Sequence, residues 1–401
     1  MIMKKKILVI APNSFPINSA EAIVNIKLLR YLQEAYDVYL ISKQLKWKQY
    51  PSTELKDSGL KLKHLEVISV ENKITLKTIW LHLLALLRFK MVYKGAHWAY
   101  LASVAAEKIC RKEKIDAVLT KSYPSELVGY YLKKRYNKKW LATWNDPFPL
   151  EFYPHPYGNG PQAKLSFLKH PLLGAMEKWP DANIFPNERL KNYMKQYLPQ
   201  LKNEFIIPHI AQRMDLPEHF SADTLHIIHS GDVRPPRDPR TFCKALSLFL
   251  KEQPEAKICV TFQGLFSPEL SELIKEYNLQ EYIRFVEPIP YNDSLLTLSN
   301  YHVVLIIEAP CREGIFLPTK VGDYIGCGKY IFSISPQEGV LSDLHKEGYI
   351  QYFSPVTNVA QIKETIQEIY NDFTSNRWPE KKWNTDYDGE SVLETYKSLI
   401  G

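Results

Sequence analysis

The chain has 401 residues, of which 45% are hydrophobic, so it is too long for one ordinary domain core and suits two domains of ~200 residues each. Its 51 Lys and Arg residues exceed its 44 Asp and Glu residues by a net charge of +7, which favours an anionic partner only weakly and does not distinguish a nucleotide from a lipid or a nucleic acid. The five cysteines are widely spaced and form no zinc-ligand pattern, which indicates reduced thiols in a cytosolic protein and not a disulfide framework.

Strand-like and helical patterns alternate from the start of the chain, which predicts parallel sheets covered by helices on both faces. Residues 7–11 form the first predicted strand, residues 21–35 a helix with apolar residues at helical spacing, and residues 37–42 the next strand. Because the first apolar run is too short for a secretory signal, we expect no export. Further strands of this half are predicted at 116–120, 140–144 and 182–185.

Residues 73–94 contain an apolar run, Ile79 to Leu87, with basic residues on both sides. The run is shorter than the ~20 apolar residues that cross a bilayer. It is typical of a helix packed in the core of the first domain, and also of a helix that lies on an anionic membrane surface with Trp80 at the headgroups. Both interpretations stay open, since one face of the helix could serve each.

The alternating pattern restarts after a proline-containing stretch at 208–222, which we interpret as a linker. The first domain is therefore predicted to cover residues 1–207 and the second domain residues 223–382. The last segment, 383–401, lies outside the alternation and is predicted to be a C-terminal helix. Strands of the second domain are predicted at 225–230, 257–262, 283–286, 302–307 and 329–334.

The loop that opens the second domain carries two arginines. Ligands of open α/β sheets bind beyond the carboxyl ends of strands, which makes the loop after residues 225–230 a candidate site. Gly231 frees the backbone at the strand end, and Arg234 and Arg237 precede a helix predicted to begin near Asp238. Guanidinium groups beside a helix N-terminus can bind a diphosphate and stabilise it as it leaves.

A second candidate for phosphate binding is the segment 316–336, which places a helix between two strands. Thr319, Lys320 and Asp323 fall in the first turn of that predicted helix. Residues three apart share a helix face, and the N–H groups of a helix start suit a phosphate. We therefore expect Lys320 to face a phosphate and Asp323 to accept hydrogen bonds from hydroxyls attached to it.

These two segments together resemble the sugar-nucleotide site of GT-B glycosyltransferases, in particular the large retaining family four. That family has an acidic residue five positions before a Gly and a basic residue six positions after another Gly; here Asp323 precedes Gly328, and Arg237 follows Gly231, at these spacings. The resemblance implies an α/β protein of the GT-B fold, with two Rossmann-like parallel-sheet domains facing an interdomain cleft. It also implies that the helix at 383–401 packs back on the first domain.

The resemblance points to four weaker candidates in loops that follow other strands. Asp146 matches the position where the family often has a His or an acidic residue near the acceptor. Ser19 and Ala20 stand where the family has a Gly pair that lets backbone N–H groups approach phosphates or the acceptor, and Ser19 can cap the first helix and still donate hydrogen bonds. Gln263 and Ile289 match loops in which relatives contact the nucleotide base.

The chain departs from the family pattern at two further places. Asp232 stands where many members have Arg, so Arg234 is expected to supply the second positive charge. The family also has two glutamates eight positions apart, and Ile315 occupies the position of the first. Glu308 or Glu313 would replace it after a shift of the loop.

The resemblance implies transfer of a sugar from a nucleotide-diphosphate sugar to a glycan or a lipid-linked acceptor, with retention of configuration, in surface polysaccharide or glycoconjugate synthesis. The expected catalytic residues are Arg237, Lys320 and Asp146, with the nucleotide sugar as co-substrate and no other cofactor. We expect neither a metal ion nor a nucleic-acid partner. The expected location is the cytoplasm, with contact between residues 73–94 and the inner face of an anionic membrane as an option.

Two alternative functions stay open, and a third is disfavoured. A sugar-nucleotide 2-epimerase has the same two-domain architecture, but it needs carboxylates and His in its site, and this chain shows few there. A degenerate member would bind a sugar nucleotide without turnover. A nicotinamide oxidoreductase is disfavoured, because no Gly-x-Gly-x-x-Gly sequence follows the first strand.

Overall fold

The apolar runs of the sequence form two parallel sheets, each in its own unit. A computed structural model describes residues 4–44, 51–70, 73–91, 93–160, 164–165, 167–217 and 223–401. Unit 1 comprises Met1–Glu151, Gln162–Ile210 and Asp386–Gly401, and unit 2 comprises Phe152–Pro161 and Ala211–Thr385. Part of the predicted linker, residues 218–222, lies outside the described residues.

Unit 1 is a parallel sheet with helices on its faces. In the described part of the chain this sheet has seven strands in the order β3-β2-β1-β4-β5-β6-β7. The strands are Lys6–Ile10 (β1), Asp37–Lys43 (β2), His64–Ile68 (β3), Ala117–Lys121 (β4), Lys139–Thr143 (β5), Ala182–Phe185 (β6) and Glu204–Ile206 (β7). The helices are Ala20–Ala35 (α1), Leu76–Phe89 (α2), Ala96–Lys112 (α3), Ser125–Tyr136 (α4), His170–Lys178 (α5), Glu188–Lys195 (α6) and, at the end of the chain, Gly389–Ile400 (α13).

Unit 2 repeats the architecture. Among the described residues its sheet has six strands in the order β10-β9-β8-β11-β12-β13. The strands are Leu225–Ser230 (β8), Ile258–Gln263 (β9), Ile283–Val286 (β10), Val303–Ile307 (β11), Tyr330–Ser335 (β12) and Tyr352–Pro355 (β13). The helices are Arg240–Glu252 (α7), Pro268–Glu276 (α8), Tyr291–Thr297 (α9), Thr319–Gly326 (α10), Val340–Lys346 (α11) and Val359–Ser375 (α12).

The central strands are buried on both faces, as their uninterrupted apolar sequences require. All five residues of β11 are buried, and so are Leu8 and its neighbours in β1. Each such Val, Leu or Ile contributes roughly 1.5–3 kcal/mol by leaving water. Each unit therefore has its own hydrophobic core around its sheet.

The last helix of the chain belongs to the core of unit 1. Val392, Leu393 and Tyr396 of α13 are buried in the same cluster as the apolar face of α1. Gly389 lies against the ring of Tyr31, where a Cβ would have no room. The segment that the sequence analysis expected to return to the first half of the chain thus packs on α1.

The predicted α/β architecture with two parallel sheets is confirmed, but three strands had not been predicted. They are β3, β7 and β13. The strand β3 lies at one edge of its sheet, and its residues are exposed or half-buried, so it lacks the apolar run that marks the central strands. Among the described residues, no helix is both long enough and apolar enough to span a membrane.

Candidate functional site

Two glycines bring the loops after β8 and β9 close together. Gly231 follows β8 with a φ of +120°, in the region that favours glycine, and its N–H donates to the carbonyl oxygen of Gln263 over 2.7 Å. A Cβ on Gly264 would come within 2.9 Å of the carbonyl oxygen of Gly231. The backbone at Gly231 and at Gln263–Gly264 is therefore in close contact at the carboxyl ends of these two strands, and we call this surface the backbone platform.

Lys320 lies over this platform, from the first turn of α10. Its Nζ donates to the carbonyl oxygen of Ser230, and a Cβ on Gly231 would be 2.8 Å from the Nζ atom. The pKa of Lys320 is lowered to about 8, mainly by burial and secondly by the charge of Arg237. The structure thus brings together the two cationic side chains that the sequence analysis assigned to a phosphate.

Arg237 forms an ion pair with a carboxylate at the end of β11. Its Nη2 atom lies 3.2 Å and 3.4 Å from the two carboxylate oxygens of Glu308, which is buried. The hydroxyl of Tyr157 also donates to Glu308, over 3.4 Å. The Nε atom of Arg237 is buried and has no hydrogen-bond partner among the described residues. Arg237 therefore keeps donor capacity for a further acceptor.

The segment Phe152–Pro161 groups with unit 2, which the sequence analysis had not indicated. The rings of Tyr153 and Tyr157 contact Phe316, with centroid separations of 5.6 Å and 5.2 Å. Tyr157, Glu308 and Phe316 line a small cavity in unit 2. The aromatic run that follows Asp146 in the sequence thus contributes to the surroundings of Arg237.

The start of α10 leaves backbone donors for a ligand. The N-cap residue of α10 is Pro318, whose side chain cannot accept a hydrogen bond from the first turn. The helix begins at Thr319, which is half-buried. Free N–H groups at a helix start carry partial positive charge and suit an anion. With Lys320 beside them, these groups can bind a phosphate or a diphosphate.

Asp323 is buried, and both of its carboxylate oxygens accept hydrogen bonds from within the protein. Its two carboxylate oxygens accept hydrogen bonds from the Gln212 N–H over 2.7 Å and from the Tyr291 hydroxyl over 2.8 Å, and the residue is 3% exposed. These bonds fix α10 to the segment around Gln212 and to α9. A contact between Asp323 and a ribose therefore stays a prediction.

The remaining candidates of unit 2 lie around the same strand ends. Arg234 is exposed and pairs with Asp232 at 3.0 Å. The Gln263 side chain is buried and accepts from the hydroxyl of Ser230 over 3.1 Å. Ile289 is exposed in the segment before α9. Arg234 and Ile289 remain accessible to a ligand, whereas Gln263 is part of the supporting network.

His229 is a member of this cluster that the sequence analysis missed. It is buried near the end of β8, its Nδ1 lies 3.0 Å from the carbonyl oxygen of Leu305, and its Nε2 has no partner among the described residues. Burial, followed by the charges of Lys320 and Arg237, lowers the pKa of His229 well below its ordinary value. A neutral imidazole adds no positive charge, so the cationic character of the site rests on Lys320 and Arg237. The sequence signal was weak, because β8 contains two histidines, His226 and His229, and nothing local distinguishes the one near the site.

A second polar cluster lies at the carboxyl edge of the sheet in unit 1. Ser19 caps α1, and its hydroxyl accepts from the Ala22 N–H over 3.2 Å. Glu21, in the first turn, accepts from the amide of Asn13 at 2.5 Å. Burial raises the pKa of Glu21, and hydrogen bonds from Ser122 and Asn13 oppose the rise. The loops after β1 and β4 therefore meet at a carboxyl group.

Asp146 belongs to the edge of the same cluster. It is exposed in the loop after β5, and its charge contributes to the raised pKa of Glu21. Burial lowers the pKa of Lys121, at the end of β4, to about 8 and raises the pKa of Glu126, in the first turn of α4, to about 8. Asp146 and Ser19 were predicted here, whereas the buried Lys121 and Glu126 were not, because nothing in their local sequence distinguishes them from surface charges.

The Asp386-Tyr-Asp388 sequence has a structural use. The side chain of Asp388 caps α13, because it accepts from the N–H groups of Glu390 and Ser391. No group of His, Cys, Asp and Glu residues suitable for a metal ion occurs among the described residues.

Solved structures of glycosyltransferases superpose on nearly the whole chain. HepE of Anabaena, determined with UDP and glucose, has a TM-score of 0.63 at 12% identity, covering 99% of each chain. Sucrose-phosphate synthase of Thermosynechococcus elongatus has a TM-score of 0.61 at 14% identity, covering 99% of this chain and 96% of its own. The chain has the GT-B fold.

A protein of Listeria monocytogenes described as a UDP-N-acetylglucosamine 2-epimerase shares the GT-B fold with this chain as well. Its TM-score is 0.61 at 12% identity, over 99% of this chain and 96% of its own. No protein-family model and no curated protein sequence matches the chain. The comparisons therefore establish the GT-B fold, whereas a function has to be argued from the side chains at the strand ends.

Proposed function

We propose that the protein is a glycosyltransferase that transfers a sugar from a nucleotide-diphosphate sugar to a glycan or lipid-linked acceptor. The observation that carries this proposal is the position of Lys320 Nζ over the backbone platform at Gly231, where burial and then the nearby charge of Arg237 lower the pKa of Lys320, with the start of α10 beside it. Together these groups offer two positive charges and backbone N–H donors to one anionic group. A diphosphate is the group of this kind that a sugar nucleotide presents.

The proposed chemistry relies on positive charge that meets the departing diphosphate. When the bond between the sugar and the diphosphate breaks, negative charge grows on the leaving phosphate oxygen. Preformed donors and cations at that point stabilise the transition state more than the ground state. Lys320 and Arg237 are the proposed catalytic residues for this step. The sugar nucleotide is a co-substrate, and the proposal includes no further cofactor.

The acceptor is assigned to the loops of unit 1 that contain Ser19 and Asp146. Glu21, whose pKa is raised by burial, and Ser19 place a carboxyl group and a hydroxyl there that can form hydrogen bonds with hydroxyls of a glycan. Retention of configuration, and a role in surface polysaccharide or glycoconjugate synthesis, are parts of the proposal that rest on the family resemblance. A lipid-linked acceptor would put the protein at the inner face of the cytoplasmic membrane.

A thermal-shift panel of nucleoside diphosphates tests the proposal. Selective stabilisation by one nucleoside diphosphate, lost in the double variant Arg237→Gln, Lys320→Met, is the expected result. Arg240, at the start of α7, provides the matched control, because it is exposed and already paired with Glu276. Stabilisation that survives the double variant, or equal loss in Arg240→Gln, would contradict the assignment.

The 2-epimerase is the second candidate, because a protein described as such shares the fold over nearly the whole chain. Incubation with the sugar nucleotide alone separates the two reactions. An epimer formed without an acceptor supports the epimerase, whereas release of the nucleoside diphosphate only in the presence of an acceptor supports the transferase. Tight donor binding without any product, across soluble and lipid acceptors, would identify a member that binds without turnover.

A further inference from the structure

Helix α2 turns its most apolar face to the solvent. The helix begins at a capping box in which the hydroxyls of Thr75 and Thr78 each accept from the other residue's N–H. One narrow stripe, containing Thr78, Ala85 and Phe89, is buried, and α2 packs against α3. The opposite side is the exposed one, so the usual arrangement of a surface helix is reversed.

The exposed side is a continuous stripe of large apolar residues at helical spacing. Leu76 is 88% exposed, Trp80 60%, Leu83 49% and Leu87 65%. Of the eighteen exposed large hydrophobic residues in the described part of the chain, seven lie between Ile74 and Leu87. Single exposed apolar residues need no explanation, but a concentrated patch of this kind marks a binding surface.

The charges around the stripe have one sign only. The segment 73–94 contains five basic residues and no Asp or Glu. Arg88 is used internally, since it pairs with Glu107 of α3 at 3.2 Å. Lys73, Lys77 and Lys90 are exposed beside the apolar stripe. A partner that covers this face must therefore accept apolar side chains and carry negative charge.

We propose that this face of α2 docks the protein on the surface of an anionic lipid bilayer. An apolar stripe with Trp80 inserts at the level of the headgroups, and the flanking lysines contact anionic lipids. A second copy of the chain is a poor occupant, because the same lysines would meet across the interface and repel each other. The helix has 14 residues, so it lies on the bilayer and does not cross it.

The end of α2 leads into the loops that the proposed function assigns to the acceptor. Tyr93 follows α2 after a few residues, and its ring lies 4.7 Å from the ring of Tyr123 and 5.6 Å from that of Phe148. Tyr123 follows β4 and Phe148 follows β5, at the edge that also contains Asp146. If the proposed function holds, the position of these loops next to α2 indicates the class of acceptor. The acceptor is a glycan on a lipid anchor in the bilayer on which α2 lies.

Vesicle sedimentation tests the docking face directly. The wild-type protein is expected to bind phosphatidylcholine vesicles that contain about one-third phosphatidylglycerol, and to bind pure phosphatidylcholine vesicles at least about tenfold more weakly. Trp80→Glu is expected to reduce binding to the anionic vesicles by about tenfold or more. Phe266→Glu is the matched control, because Phe266 is an aromatic residue of similar exposure, 65%, in unit 2.

Two outcomes overturn the docking face. One is equal binding of the wild-type protein and Trp80→Glu to anionic vesicles. The other is a dimer, seen by sedimentation velocity without lipid, that Trp80→Glu dissociates, since this would show that a second copy covers the face. The double variant Lys77→Gln, Lys90→Gln keeps the apolar stripe, and it is expected to lose only the preference for anionic vesicles.

Failure of the docking face is distinguishable from failure of the proposed function. The thermal shift with a nucleoside diphosphate measures the donor site without lipid, and Trp80→Glu is expected to leave it unchanged. If the protein binds vesicles but no nucleoside diphosphate, the transferase proposal fails and the docking face stands. With both intact, Trp80→Glu is expected to lower transfer to an acceptor in vesicles by about tenfold and to leave transfer to a soluble acceptor analogue unchanged.

Discussion

Replacement of Lys320 by Met is expected to weaken the binding of a nucleoside diphosphate and to remove its pH dependence. Met keeps much of the length and volume of the side chain and removes the charge. A hydrogen bond to a charged group is worth about 1.5–3 kcal/mol, so the dissociation constant should rise by roughly 10-fold to 150-fold. The position of Nζ over Ser230 and Gly231 supports the upper part of this range, because the amine is held there before the ligand arrives.

The pH dependence follows from the lowered pKa of Lys320. Its ordinary value of 10.5 falls to about 8 in the folded protein. Between these values the unfolded chain binds more protons than the folded one, so the contribution of Lys320 to stability rises as the pH rises through this window. The diphosphate needs the charged amine, so its affinity should be highest below about pH 8 and fall above it.

Titration calorimetry with the nucleoside diphosphate selected by the thermal-shift panel, between pH 6 and 10, on wild type and Lys320→Met, measures both effects; these pH values are about two units either side of the expected midpoint. Arg240→Gln again serves as the control, since its charge is exposed and paired. Equal affinities of wild type and Lys320→Met, or the same fall in affinity above about pH 8 in both proteins, would refute the reasoning.

Three further changes test neighbouring parts of the account. Glu308→Gln removes the carboxylate that pairs with Arg237, and binding of the selected nucleoside diphosphate, measured by calorimetry, should tighten by about threefold to tenfold; weaker binding would show that Glu308 positions the guanidinium instead. Gly264→Ala crowds the backbone platform and should weaken binding of the same nucleoside diphosphate by about tenfold or more, with the melting temperature as the check on folding. Burial raises the pKa of Glu126 from 4.5 to about 8, so stability should decline as the pH rises between these values; Glu126→Gln should flatten that decline in a melting-temperature series and stabilise the protein by about 1–3 kcal/mol above pH 8.

The strands with a strong sequence signal were those buried on both faces. The run of Val and Ile in β11 leaves no alternative to a central strand, and it was predicted within one residue of its observed start. The edge strand β3 has only five residues, all exposed or half-buried, and it lacks the continuous apolar run by which the central strands could be predicted. Pairing with β2, which no local pattern encodes, is what makes it a strand.

The candidate site shows the same division. The positions of Lys320 and Arg237 near strand ends of the second sheet could be predicted, because each lies between a strand and a helix at a spacing that resembles the family pattern. Arg237 pairs with Glu308, which lies 71 positions away in the chain. The hydroxyl of Tyr157 donates to the same carboxylate from 151 positions away. No local pattern connects such distant positions. The same holds for Asp323, whose hydrogen bond to Gln212 spans 111 positions.

The environment of residues 73–94 could not be predicted from the sequence. The sequence left open whether the apolar run packs in a core or faces outward. The buried stripe contains few residues, and the leucines and Trp80 of α2 lie on the opposite side. An amphipathic sequence pattern indicates that the two faces of a helix differ. Where both faces are largely apolar, it does not indicate which face packs against the rest of the protein.

A crystal structure with a bound nucleoside diphosphate tests the proposed phosphate site most directly. We expect an oxygen of the terminal phosphate within about 3 Å of both Lys320 Nζ and the Arg237 guanidinium, with the other phosphate oxygens at the start of α10. A diphosphate bound without contact to either side chain, for instance at Arg234 alone, would contradict it.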